Sequence, residues 1–347
     1  MKKENYKIIT FLTLTLVSLF VIITGSTSVD SKKQGKFIVL AGNKAVYSYD
    51  GIKWIETSMP GGANWSKVCY GNGKFVAIGY SSDEQSSNFK SKVAYSKDGI
   101  KWTLTTISRD EYWGSITYGN GKFVLISYER DEDAYSEYGI IHFDTSDKAA
   151  YSTDGIKWIL TKMPSIEEWG SITYGGGKFV VVTTCDESSG EDSNKAAYSK
   201  DGINWKEATL PDRGCWNDIC YGNGKFVALN FYKSEAAYSK DGIKWTSTTM
   251  SGEKCWHSII YGNGKFVVLG SHDDGPNKAA YSKDGIKWET VILSDETNLN
   301  NLCYGNGKFV ATTYGDDKAF YSIDGINWTP TIMSSVANWG SICYGGD

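Results

Sequence analysis

The sequence predicts an all-β fold: a seven-bladed β-propeller of four-stranded antiparallel blades, its ring closed by a C-terminal strand that completes the N-terminal blade. Three observations predict it. The octet Tyr281-Ser-Lys-Asp-Gly-Ile-Lys-Trp288 recurs in seven copies, ending at Trp54, Trp102, Trp158, Trp205, Trp245, Trp288 and Trp328. Their spacings of 48, 56, 47, 40, 43 and 40 residues mark one supersecondary unit per repeat. A second stretch alternates with the octet, best seen as Trp256-His-Ser-Ile-Ile-Tyr-Gly-Asn-Gly-Lys-Phe-Val-Val-Leu-Gly270. The repeat region also begins, at Gln34, and ends, at Asp347, on the two halves of that stretch. Aromatic residues at 14%, 38 Gly, 5 Pro and the lack of long helical periodicity agree with short strands and tight turns.

Residues 1–28 read as an export segment. Lys2, Lys3 and Lys7 form a basic start, and the 16 residues from Ile8 to Ile23 carry no charge. Ser26 and Ser28 follow at a spacing that suits a signal peptidase. The uncharged run fits a cleaved signal peptide or an uncleaved membrane anchor. Residues 29–34 read as a short linker and 35–347 as the propeller.

Within a repeat, Trp256 to Tyr261 reads as the first strand and Gly262-Asn263-Gly264 as a tight turn. Lys265 to Gly270 and Lys278 to Ser282 read as the second and third strands. Asp284-Gly285 gives a two-residue hairpin signal, followed by a fourth strand from Ile286 to Leu293. At the seam, Gln34 to Leu40 is a second strand without its first, and Trp339 to Asp347 is a first strand with nothing after it. Pairing the two closes the ring and removes an open edge.

The octet resembles the Asp-box (BNR-type) repeat of sialidase-superfamily propellers in bacterial secreted and surface proteins. That pattern is Ser-x-Asp-x-Gly-x-x-Trp; here one residue is missing ahead of the Gly, as in Ser96-Lys-Asp98-Gly99-Ile-Lys-Trp102. The resemblance implies a structural role for Asp50, Asp98, Asp154, Asp201, Asp241, Asp284 and Asp324, as turn caps between third and fourth strands. It also raises sialidase chemistry, in which three Arg hold a carboxylate. The chain has three, Arg109, Arg130 and Arg213, but lacks the family's Arg-Ile-Pro motif and has seven repeats where sialidases usually have six blades.

The loops joining strands one to two and three to four barely vary between repeats. Those joining two to three, and four to the next blade, diverge: Ser81 to Ser91, Cys185 to Asn194 and Tyr128 to Asp147 contrast with Asn43 alone in the opening blade. Loops on a rigid scaffold commonly carry binding. Several are acidic, at Asp83-Glu84, Glu129 to Asp133, Asp186-Glu187, Glu191-Asp192, Asp273-Asp274 and Asp316-Asp317. They suit calcium in ligand type, but none has the spacing of a known calcium loop, so no cofactor is expected and the metal question stays open. Trp65, Trp113, Trp169, Trp216, Trp256 and Trp339 open the first strands, with Leu299 at the remaining position. They are read either as an aromatic ring at the funnel mouth, suited to sugars, or as blade packing.

Without residues 1–28, which hold three Lys and one Glu, 33 basic face 39 acidic residues, a net charge of −6. With so few Arg and no basic excess, nucleic acid is excluded as a partner. Cys69, Cys220, Cys303 and Cys343 share one repeat position with Thr117, Thr173 and Ile260, which reads as a small buried wall. Cys215 and Cys255 precede equivalent Trp residues and suggest a loop disulfide. His142, His257 and His272 have no ligand spacing. The expected protein is a secreted or cell-surface monomer that touches a membrane only through an uncleaved leader. The leading expectation is a module recognising a glycan or protein at the loop-rich face. A glycan-cleaving hydrolase or lyase in the same funnel and a purely structural envelope protein are the alternatives.

Overall fold

The computed structural model describes residues 34–346 except 84–85, 108–110, 136–140, 186–192, 251–254, 271–276 and 294–297. For the rest of 82–90 and 128–144 only the backbone is described. The leader at 1–28 and all but Gln34 of the linker lie outside these residues.

Seven antiparallel sheets follow one another along the chain. In the sixth blade the strands are Trp256–Gly262, Lys265–Gly270, Lys278–Ser282 and Glu289–Ile292, hydrogen-bonded in sequence order. The first strand is the innermost. In the seventh blade the second and third strands run on as one element, Lys308–Ser322, with Gly315 at φ +77° inside it. Closure is as the seam predicts: Ile342–Gly345 pairs with Lys36–Ala41 in the register Phe37↔Tyr344 and Ile38↔Cys343.

Two turns differ from the sequence reading. Gly262 pairs with Lys265, so the tight turn consists of Asn263 and Gly264 alone, at φ +45° and +75°. Gly262 is glycine for another reason: a Cβ there would stand 2.2 Å from Cγ of Tyr304 in the next blade. The glycine that ends each inner strand lies under its neighbour's tyrosine in this way: Gly71 under Tyr118, Gly119 under Tyr174, Gly175 under Tyr221, Gly222 under Tyr261, Gly305 under Tyr344 and Gly345 under Tyr70. With Gly262 under Tyr304, these contacts run once round the ring and return to their start.

The octet is a wide turn, not a two-residue hairpin, because Tyr281 pairs with Glu289. Its side chains replace the missing ladder. Ser282 Oγ donates to Asp284 Oδ1 at 3.0 Å and accepts from Gly285 N at 2.8 Å, while Ile286 N and Lys287 N donate to the same carboxylate oxygen at 2.9 Å. These four bonds recur in every copy, from Asp50 to Asp324. Partial burial pushes the Asp284 carboxyl up, but the backbone donors outweigh it and hold the group below the usual carboxylate range.

The preceding blade also binds the octet. Asn263 Nδ2 donates to Ile323 O, Lys265 Nζ to Asp324 O, and Thr248 Oγ1 to Ile286 O, each from one blade into the octet of the next. The turn that caps one blade therefore docks it on its neighbour, which explains why the octet varies so little between repeats.

The core is seven clusters, one between each pair of adjacent blades. Each holds one of the strand-opening Trp residues or Leu299. Cys69, Cys220, Cys303 and Cys343 line the inner wall, where burial drives the first three thiols well above their usual pKa and Cys343 up to about 12. Cys215 is disulfide-bonded to Cys185, not to Cys255. Cys185 lies two residues past the second strand of the fourth blade, Lys178–Thr183, and Cys215 precedes the inner strand of the fifth; their Cα atoms are 4.8 Å apart, within bridging range.

Two stretches read as loops are strand pairs. Lys74–Asp83 and Ser86–Ser96 stay paired out to Asp83↔Ser86. Lys122–Tyr135 carries Ile141–Asp144 folded back on it. A continued ladder satisfies backbone groups that a free loop would leave to water.

Candidate functional site

The length differences between second-to-third connections shape the loop-rich face. Blade one turns back at Gly42 and Asn43, with Ala41 paired to Lys44. On either side, the second strands of blades two and seven carry Tyr80 and Tyr314 further out. The short hairpin between longer neighbours leaves a notch of about 510 Å³.

Its walls are Tyr80 on one side and Tyr314, Val336, Ala337 and Asn338 on the other, and its floor includes Gly42, Trp65 and Gly340. Asn43, Lys44 and Asn64 complete the polar lining. Asn64 Nδ2 donates to the Tyr80 hydroxyl at 2.8 Å, and the Tyr80 ring lies 5.1 Å from that of Tyr112, so this wall is held in place. Tyr314 is 52% exposed and faces solvent. Lys44 Nζ donates to Ser335 Oγ at 3.4 Å. The lining contains amides, hydroxyls and one ammonium, and among the described residues it includes no carboxylate and no histidine.

The strand-opening Trp residues do not present open ring faces. Trp113 is 4% exposed and Trp65, Trp169, Trp216, Trp256 and Trp339 are at most 1%, all packed between blades. A bulge separates five of them from the rest of the inner strand, as between Trp65 and Lys67, while Trp339 precedes the inner strand Ile342–Gly345; the indoles lie in the blade interfaces. Only Trp65, at the notch floor, borders the site. Arg213 is exposed on the outer strand Lys206–Gly214 of the fourth blade. Arg130 lies on the long ribbon of the third blade, where only backbone is described, and Arg109 lies outside the described residues. Asp316-Asp317 is a described acidic pair, whereas Glu84, Asp186-Glu187, Glu191-Asp192 and Asp273-Asp274 fall outside. Among the described residues no three His, Cys, Asp or Glu are grouped to hold a metal ion.

Inside the ring, the second residue after each strand-opening Trp or Leu forms a polar belt: Lys67, Ser115, Ser171, Asp218, Ser258, Asn301 and Ser341. Its members bridge blades. Ser171 Oγ and the backbone N–H groups of Ile219 and Ile259 donate to Asp218 at 2.8, 2.9 and 2.8 Å. Val68 N donates to Ser341 Oγ at 3.1 Å. Comparing the repeats column by column would have exposed the two charges in this belt.

His257, one residue before the belt, stands where other blades carry Gly, Ser or Asn. Its Nε2 is buried with no hydrogen-bond partner among the described residues. Burial lowers its pKa to about 4, against a hydrogen bond with the Asn300 backbone that acts the other way. The unfolded chain protonates near 6.5, so the stability this neutral ring contributes is complete above pH 6.5 and declines as pH falls toward 4. The whole effect is at most about 3 kcal/mol. His257→Asn, the residue of two other blades, should flatten the stability profile across that interval. Urea unfolding from pH 4.5 to 7.5 measures it, and parallel profiles for the two proteins would refute the assignment.

Solved structures share this architecture. A streptogramin B lyase superposes with a TM-score of 0.60 at 12% identity, over 89% of this chain and 91% of that one. A catalytically inactive virginiamycin B lyase from Staphylococcus aureus, with quinupristin, gives 0.62 at 12% identity over 86% and 89%. AztD from Citrobacter koseri gives 0.50 at 11% identity over 90% and 98%. The likeness is one of fold. No protein-family model and no curated relative matches the sequence.

Proposed function

We propose that this propeller is an exported recognition module that holds a glycan in the notch above blade one. The observation that carries the reading is the lining: two tyrosines on facing walls, with amides and hydroxyls between them and no carboxylate among the described lining residues. Aromatic faces stack on sugar rings, and fixed amides read hydroxyl groups. Glycoside hydrolysis needs two carboxyl groups at a set separation, which this lining does not supply. The basic start and uncharged run of residues 1–28 support export, and the repeated octet bonds support the Asp-box likeness.

A lyase or hydrolase is the second reading, favoured by the lyases of the same fold. A glycan and cell-wall-polymer array on the full chain, with and without calcium, separates the two when released sugars are read from the same wells. Tyr314→Ala and Tyr80→Ala should each weaken binding about tenfold, from a stacking contact of about 1.4 kcal/mol. Saturable binding unaltered in both variants would remove the ligand from the notch. Product released in proportion to time would make the protein an enzyme.

A further inference from the structure

The lining of the notch holds a single charge, the ammonium of Lys44. Lys44 stands three residues before its octet tyrosine, where five other blades also carry Lys and the fifth blade carries Glu235. Two of those lysines are neutralised within their own blades. Lys148 meets both carboxylate oxygens of Glu111, at 3.0 and 3.1 Å, and Lys195 meets Glu207 at 3.0 Å.

Blade one forms neither pair. Ala337 stands where blade three has Glu111, two residues before the strand-opening Trp, and it lines the notch. Glu56 stands where blade four has Glu207, yet Lys44 Nζ bonds instead to Ser335 Oγ, at 3.4 Å, on the strand Thr329–Asn338 that forms the blade-seven wall. Among the described residues no carboxylate lies within ion-pairing distance of this ammonium. One long bond to a neutral hydroxyl uses only one of its three donors. The side-chain amides of Asn43, on the blade-one hairpin, and Asn338, on the blade-seven wall, also have no hydrogen-bond partner among the described residues. Asp316 and Asp317 follow Tyr314 on its strand, but neither lines the notch, and Asp316 Oδ1 accepts Asp317 N at 2.7 Å.

We infer that the notch selects a sugar acid bearing one carboxylate, with Lys44 as the residue that sets the choice. The inference rests on the glycan reading above and names the class of glycan. The ligand's carboxylate takes at Lys44 the place that Glu111 and Glu207 take at the equivalent lysines. Its two oxygens accept from the ammonium and the neighbouring amides, and charge-assisted bonds of this kind are about twice as strong as neutral ones. A lone ammonium balances one negative charge, and the excess of acidic over basic residues in the chain disfavours a second.

The test titrates the full chain with glucuronate, galacturonate and N-acetylmuramate, each beside its methyl ester, by ligand-detected NMR at constant ionic strength. The ester keeps the ring and removes the charge. At least one acid should bind, and its ester should bind about tenfold more weakly. Lys44→Gln should lower affinity for the acid about tenfold and leave that for the ester unchanged, whereas Lys44→Arg should keep the preference. Lys44 is exposed, so both variants should melt as the wild type does. Tyr314→Ala should weaken acid and ester alike. Acid and ester binding equally, or a preference that survives Lys44→Gln, would overturn the selection; the glycan reading would stand as long as Tyr314→Ala weakened both. Glucose 6-phosphate binding more tightly than every acid would overturn the limit to one charge. If neither the acids nor their esters bind, the glycan reading falls and this inference falls with it.

Discussion

Deleting Trp339–Asp347 is expected to cost the chain its folded monomer. The segment supplies the inner strand of blade one, and without it Lys36–Ala41, buried along its whole length, becomes an open edge. Trp339 and Ile342 leave a cluster that contains Phe37, Val39 and Val310. Two contacts of the closed glycine–tyrosine ring are lost as well, Tyr344 on Gly305 and Tyr70 on Gly345. At about 1.5–3 kcal/mol per large apolar side chain, the loss exceeds about 5 kcal/mol, comparable with the stability of a typical domain. The truncated chain should elute as aggregate in size-exclusion chromatography and lose its cooperative thermal transition. A synthetic peptide of residues 339–347, added in trans, should restore part of it. A truncated monomer that melts at the wild-type temperature would mean that the ring is not held by this strand.

Periodicity made the ring legible in the sequence. Seven octets fixed the blade count, and the two half-stretches at the ends fixed which strand closes which blade. Relations between blades were hidden, because the partners are a full repeat apart. Tyr304 and Gly305 are adjacent in sequence, yet Tyr304 covers Gly262 and Gly305 lies under Tyr344. Asp284 reads as a local cap, but the carbonyl of Ile286 in the same turn accepts Thr248 from another blade. The Trp position gave the strand but left two surroundings open, funnel mouth and blade interface; the indoles are buried in the interfaces, past a bulge that periodicity cannot register. The notch was half visible. The short hairpin at Asn43 stood out, but the walls come from Tyr80 and Tyr314, which are long strand ends on other blades and carry no motif.

Gly222→Ala is expected to destabilise the protein far more than Gly224→Ala, although the two glycines flank one residue, Asn223. At Gly224, φ is +73° and a Cβ would meet nothing within 4 Å, so the substitution costs only the backbone preference, about 1–2 kcal/mol. Gly222 has the reverse problem. Its Cβ would stand 2.0 Å from Cγ of Tyr261 and 2.5 Å from its Cβ. The Tyr261 Cβ is fixed by its backbone, so a χ1 rotation that swings Cγ aside leaves the 2.5 Å contact, and the two inner strands themselves must separate. Tyr261 also packs on Phe266, with ring centroids 4.9 Å apart, so displacement spreads into the sixth blade's core. Overpacking of this kind costs about 3 kcal/mol or more. Urea unfolding of both variants gives the comparison, and equal losses would show that the inner strands yield without cost. The double variant Gly222→Ala with Tyr261→Ala distinguishes a clash from a general weakening. Removing the ring takes away the contacts with Cγ and Cδ2, though not that with Cβ, and leaves a cavity, so the double variant should be more stable than the sum of the two single losses predicts, with a coupling of about 1–3 kcal/mol. Strict additivity would place the effect of Gly222 in the backbone and not in the tyrosine of the neighbouring blade.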